Sequence, residues 1–298
     1  MKKILFYTQN RWAFGAIHHG LAKELYLHGI YANLLDWTQS YSADEWKLLS
    51  DTYDEFVTMP DAVMALNSHG IPLSRIKTIA HGQWDILLAK EHSDFDFYPM
   101  LAGLGVISSI LQKKCAEWEI SRVPDVVEIG IHTQQFWAEP VEKMESIGYA
   151  GSDEVINRLG VPIKRPHLVE KICGDLGIPM VRHQFYNHLC MPAYYRRVDA
   201  VICSSIEEAA GLPMMECAAA GRLPIGTPVG YFEEHAGLGG VQVPMDEVEF
   251  VEMSKAVISF YKHNPSTLRS HAAAFQQYAK DHYDWSKRIY KWVDFLNK

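Results

Sequence analysis

The chain has 298 residues, a length that suits two domains, and 48 % of them are hydrophobic, enough for substantial cores. Eight Trp and fifteen Tyr exclude a disordered chain. A formal net charge of −8 argues against a general nucleic-acid binder, which would be basic overall.

The first half alternates short apolar runs with amphipathic stretches. Residues 4–7 predict a buried strand, 10–15 a loop and 16–28 a helix with Ile17, Leu21 and Leu25 spaced by four. Gly29 stops that helix. Strands at 32–35, 55–58 and 75–80 alternate with helices at 44–50 and 61–69. A strand at 105–107, a helix at 109–118 and a strand at 126–129 close the series. Residues 133–143, with Glu139-Pro140 at their centre, predict a linker.

The pattern then restarts. Strands are predicted at 146–150, 179–182 and 200–203, with helices at 165–175 and 192–197. Strands at 223–225 and 241–243 follow, and helices at about 246–263, 265–281 and 285–296 finish the chain. Such alternation predicts parallel sheets covered by helices on both faces, with ligands beyond the carboxyl ends of the strands.

The five cysteines form no Cys-x-x-Cys pair, and their odd count suits a reducing, cytoplasmic setting. Cys203 and Cys217 read as small core hydrophobes. No run approaches the roughly 20 apolar residues of a membrane span, which leaves peripheral membrane contact open. Fourteen His are dispersed without a His-Glu-x-x-His, so no metal site is expected. There is no Walker loop and no Gly-x-Ser-x-Gly elbow.

The most informative segment runs from Ser205 to Gly230. It sets Glu208 and Glu216 on either side of a Gly211-Leu212-Pro213 turn that opens an Ala-rich helix, which stops at Gly221. A carboxylate accepts hydrogen bonds from paired hydroxyls, and a helix N-terminus attracts phosphate. A site that needs both suggests a sugar nucleotide. Pro213 suits the first helical position, which would put Glu216 in the first turn. The plainer alternatives are a solvated helix carboxylate for Glu216 and an ordinary loop acid for Glu208.

The ordered set Ser205, Glu208, Gly211, Pro213, Glu216, Gly221, Ile225, Thr227, Gly230 and Glu234 resembles retaining glycosyltransferases of the GT-B fold, family-4 type. Residues 106–109, 126–132 with Phe136, and Asp284-Trp285 are similar to further segments of that family. The resemblance implies an α/β fold of two Rossmann-like domains facing a cleft. It implies an acceptor-side domain at 1–138, a nucleotide-sugar domain at 139–282, and a C-terminal helix at 283–298 that crosses back to the first domain.

It also implies roles for residues. Glu216 would bind the ribose of the nucleotide, and Glu208 would contact hydroxyls of the donor sugar. Backbone amides of Ala210, Gly211 and Leu212 would approach donor hydroxyls and phosphate, as would Gly15 in the first strand-to-helix loop. His81 would bond an outer sugar hydroxyl, although a satisfied rim histidine is an equal reading. Lys164, placed at the opening of a helix, matches the family's phosphate-binding Lys. The family's Arg is replaced by Ser152; Arg158 and Arg165 are candidates for the missing cation, with surface charge the plainer reading of both.

The activity implied is transfer of a sugar from a nucleoside-diphosphate sugar to a glycan, lipid-linked or small-molecule acceptor, without a further cofactor. A sugar-nucleotide epimerase or hydrolase, and a catalytically degenerate nucleotide-sugar-binding partner, remain as alternatives.

Overall fold

The computed structural model describes residues 1–9, 12–91, 93, 95–152, 160–183, 188–235 and 237–298. The chain forms two compact units, one of Met1–Gly130 with Trp285–Lys298 and one of Ile131–Asp284.

The first unit runs β1 (Lys2–Thr8), α1 (Trp12–Leu27), β2 (Ile30–Asp36), α2 (Ala43–Thr52), β3 (Glu55–Thr58) and α3 (Val63–Ser68). It continues β4 (Ile76–Ala80), α4 (Gln83–Glu91), β5 (Gly103–Val106), α5 (Ser109–Glu117) and β6 (Asp125–Val126). Its six strands pair in parallel in the order β2-β1-β3-β4-β5-β6. Strands such as Ala200–Cys203 of the second unit, Ala-Val-Ile-Cys and buried at every residue, read as unbroken apolar runs because both faces of a parallel sheet are covered.

The second unit runs α6 (Thr133–Phe136), β7 (Ile147–Tyr149), α7 (Pro166–Leu176), β8 (Met180–Arg182), α8 (Met191–Tyr195) and β9 (Ala200–Cys203). Then come α9 (Leu212–Ala219), β10 (Leu223–Gly226), α10 (Tyr231–Glu234), β11 (Val241–Gln242), α11 (Glu247–His263) and α12 (Pro265–His282). The sheet order is β11-β10-β9-β7-β8, again all parallel. In both sheets the second strand lies on one side of the first and the third lies on the other. The two units therefore share one winding order, which the sequence, with no visible internal repeat, conceals.

The last helix, α13 (Trp285–Asn297), returns to the first unit. Trp285, Trp292, Phe295 and Leu296 are buried there, and the Trp292 indole donates to the Glu128 carbonyl at 2.9 Å. Lys77, itself buried, donates to the carbonyls of Phe295 and Leu296 at 3.0 and 2.9 Å and pairs with Glu55 at 3.0 Å. A cation thus satisfies the orphan carbonyls at the C-terminus of α13.

Several expected elements are corrected. Helix α1 begins at Trp12, so Gly15 lies in its first turn and not in a loop; one Gly costs a helix only about 1 kcal/mol. Helix α4 follows Gly82, where no helix was expected. The expected helix at 61–69 is a 3-10 turn, Pro60–Ala62, followed by α3. The expected strand at 126–129 pairs only at Asp125–Val126. Residues 133–143 contain α6 and bury Phe136 and Val141, so the segment is part of the second unit's packing. Among the described residues no helix is long and apolar enough to cross a membrane.

Candidate functional site

Strand order in the second unit reverses between β7 and β9. Open parallel sheets bind ligands beyond the carboxyl ends of their strands, at such a reversal. The two loops that leave there, β7 to α7 and β9 to α9, carry Lys164 and Glu208. They are stitched together by backbone: Ile206 N–H donates to the Ile163 carbonyl at 2.9 Å, and Ser204 Oγ donates to the Lys164 carbonyl at 2.5 Å.

Glu208 and Lys164 meet as an ion pair. Ser205 Oγ donates to the same carboxylate oxygen, Oε1, at 2.6 Å. This bond gives the Ser-x-x-Glu spacing a physical meaning, since the hydroxyl at one end of the turn fixes the acid at the other. Burial works against the Lys164 ammonium, but the Glu208 carboxylate outweighs it and holds the lysine pKa above its ordinary value. Lys164 stays charged at any working pH.

Lys164 does not open α7, as the sequence suggested. The helix starts at Pro166, and Arg165 is its cap, in a left-handed conformation with φ of 45°. A residue before proline avoids the right-handed helical region, so the helix cannot begin before Pro166. The buried Arg165 guanidinium donates to the carbonyls of Ser204 at 2.7 Å and Met245 at 2.9 Å and lies over the Phe250 ring. Those contacts tie the two loops to the start of α11. Arg158 lies outside the described residues.

Helix α9 begins at Leu212, with Gly211 as its cap at φ of 74°, a conformation that favours glycine. Pro213 is then the second helical residue. Glu216 is the fifth, one residue further into the helix than the sequence implied. The first amides of any helix lack a carbonyl partner within it, and at the start of α9 these are the amides from Gly211 onward. Ala210 packs against Gly230, where an added Cβ would lie 2.8 Å from the Ala210 carbonyl carbon. Tyr231 N–H donates to the Ala210 carbonyl at 3.2 Å. Gly230 therefore lets β10's outgoing loop close onto the turn that carries Glu208.

Glu216 is not a solvated helix acid. It is 1 % exposed. Tyr195 OH donates to its Oε2 at 2.8 Å, and His188 Nε2 lies 2.5 Å from its Oε1. Phe136 packs edge-on against both rings, at 6.2 Å from His188 and 5.9 Å from Tyr195. Arg222 Nε donates to the Tyr195 carbonyl at 3.0 Å, which fixes α8. Burial works against a charged His188, yet the bond and charge of Glu216 hold its pKa above the ordinary histidine value. Sequence reasoning missed His188 and Tyr195, because a single His and a Tyr pair before a strand carry no spacing signal.

The remaining candidates lie in the first unit. His81 follows β4, and its N–H and that of Gly82 donate to Asp85 Oδ2 at 2.7 and 2.8 Å, which starts α4. The imidazole is buried edge-on to His18 at 5.5 Å. Burial pushes the His81 pKa down to about 4 and that of His18 well below the usual value, so both rings are neutral near pH 7. Gly15 lies in the first turn of α1. No group of three or more His, Cys, Asp or Glu side chains able to hold a metal ion occurs among the described residues.

No family model matches the chain, and no curated protein matches it in sequence. Solved structures do match over its whole length. HepE from Anabaena, in complex with UDP-glucose, is 13 % identical with a TM-score of 0.73, covering 100 % of both chains. Sucrose-phosphate synthase from Thermosynechococcus elongatus is 11 % identical with a TM-score of 0.71, covering 100 % of this chain and 98 % of that one. A glycosyltransferase from Rickettsia africae is 16 % identical with a TM-score of 0.65, covering 98 % of this chain and 97 % of that one. At these identities the likeness establishes architecture: with its two parallel sheets of six and five strands, the chain has the GT-B fold.

Proposed function

We propose that the protein is a retaining glycosyltransferase that takes a UDP-sugar as donor. The observation that carries this reading is the buried carboxylate of Glu216 on α9, one helical turn beyond a glycine-capped helix start and next to the Lys164–Glu208 pair's own loop. Glu216 accepts the two ribose hydroxyls. The amides of Ala210, Gly211 and Leu212 and the ammonium of Lys164 take the diphosphate. Glu208 orients hydroxyls of the transferred sugar. The UDP-glucose complex of HepE, which shares the fold, supports a uridine nucleotide.

In the reaction the bond between the anomeric carbon and the phosphate oxygen breaks through an oxocarbenium-like state. Charge grows on the leaving diphosphate, where Lys164 and the start of α9 are fixed in advance; such preorganised charge is the largest lever on a barrier of this kind. The acceptor hydroxyl adds to the same face of the sugar and passes its proton to the leaving phosphate oxygen. Configuration is thereby retained, and no protein base is needed. The acceptor is a hydroxyl of a glycan, a lipid-linked sugar or a small molecule.

A thermal-shift screen of UDP-, GDP- and ADP-sugars tests the donor, since a ligand that binds only the folded state raises its melting temperature. Release of UDP in the presence of hydroxyl acceptors then tests transfer. UDP-sugar stabilisation with acceptor-dependent UDP release is the expected result. Stabilisation by no sugar nucleotide contradicts the reading; release without an acceptor points to a hydrolase.

A further inference from the structure

The Glu216 carboxylate is already occupied, and its two partners differ. Tyr195 is fully buried and its backbone is held by Arg222. The His188 side chain is 33 % exposed and sits on a single 3-10 turn, His188–Cys190. With Glu216 itself sealed from solvent, the part-exposed imidazole is the outer of its two partners.

We propose that His188 gates the ribose subsite: it holds the Glu216 carboxylate while the subsite is empty and must swing away before a ribose diol can bind there. The proposal rests on the reading of Glu216 as the ribose-binding residue. A diol donates one hydrogen bond to each carboxylate oxygen, and with Glu216 1 % exposed the part-exposed imidazole on Oε1 stands in the way of that approach. Tyr195 stays in place and aims the carboxylate, its phenol kept protonated by burial and by the adjacent acid.

The gate is sensitive to pH. Among the described residues, the titratable groups tied to His188 are Glu216, which it pairs with, Tyr195, which shares that carboxylate, and His183; Phe136 of α6 packs on its ring and adds no charge. Burial lowers the pKa of His183, and burial raises the Cys217 thiol far above its ordinary range, so neither competes for the carboxylate near neutrality. Protonated His188 forms an ion pair with Glu216 and resists displacement. Neutral His188 makes one ordinary hydrogen bond and yields more easily. Donor binding should therefore strengthen as pH rises past the raised histidine pKa.

Calorimetric titration with UDP-glucose from pH 5.5 to 8.5 tests this, because the diphosphate diester carries no proton that titrates in that range. Wild type should gain about tenfold in affinity across it, the scale on which a charge-assisted hydrogen bond exceeds an ordinary one. His188→Ala should bind more tightly than wild type at pH 5.5 and show no pH dependence. His188→Gln, which keeps a neutral donor to Glu216 and guards against misfolding of the alanine variant, should match the wild-type affinity of pH 8.5 throughout. Weaker binding by both variants at every pH, or a wild-type pH slope retained in them, overturns the gate while leaving the donor reading standing. Absence of UDP-glucose binding by folded wild type and variants at all pH values overturns the donor reading and the gate together.

Discussion

The two units wind their strands in the same order but treat the carboxyl ends of those strands in opposite ways. In the first unit the histidines near that end, His18 and His81, are buried and stay neutral. In the second, the same end holds partly buried ion pairs, Lys164 with Glu208 and His188 with Glu216. One sheet design thus supports a neutral surface and a charged one. The difference lies in the loops and not in the strands, as expected where function is grafted onto a shared fold.

Acid should separate the two environments most sharply. His81 has a folded pKa below its unfolded value, so the unfolded chain takes up its proton first. Its contribution is complete above about pH 6.5 and is lost as pH falls toward 4, up to about 3 kcal/mol for a shift of this size. His188 has the opposite sign: its folded pKa is raised, so its contribution is complete below about pH 6.5 and is lost as pH rises through the folded value. Urea unfolding of the full chain between pH 4 and 7 should show a smaller acid loss in His81→Gln than in wild type. Equal losses would mean that His81 is not held neutral.

The second unit's charges should matter for chemistry more than for folding. Glu208→Gln keeps the shape and a hydrogen-bonding oxygen for Ser205 and Lys164, so melting should move by only a few degrees. Turnover should fall by roughly 100-fold, the scale of a misplaced reacting group. Near-wild-type turnover would reduce Glu208 to a structural partner of Lys164. The glycines give the mildest contrast. Gly230→Ala, at φ of 57° and against the Ala210 backbone, should destabilise by about 2 kcal/mol. Gly174→Ala, in α7 with open space around it, should stabilise by about 0.5–1 kcal/mol. Equal effects in urea midpoints would remove the special role of the Gly230 loop.

Most strands were legible because buried parallel strands leave unbroken apolar runs, such as Ala200–Cys203. The acid spacing around Gly211 was legible too, because a glycine cap and a proline mark a helix start wherever they occur. Burial was not legible. Glu216 stands between Met215 and Cys217 in a helix with no polar face to mark a side toward water, and its partners His188 and Tyr195 come from 28 and 21 residues earlier in the chain. Local pattern also misjudged 133–143: Phe136 and Val141 are buried by packing against distant elements, while Pro140 between them signals a break. At Arg165 the following proline sets the helix boundary, a constraint that outweighed the apolar periodicity used to place it.

The claim beneath the whole account is that the sealed carboxylate on α9 grips a nucleotide ribose. Titration of Glu216→Gln with UDP-glucose, beside wild type at pH 8, measures it most directly. Losing the charge on an acceptor of two hydroxyls should weaken binding at least about tenfold, with the variant still folded. Undiminished affinity in the variant would contradict the account.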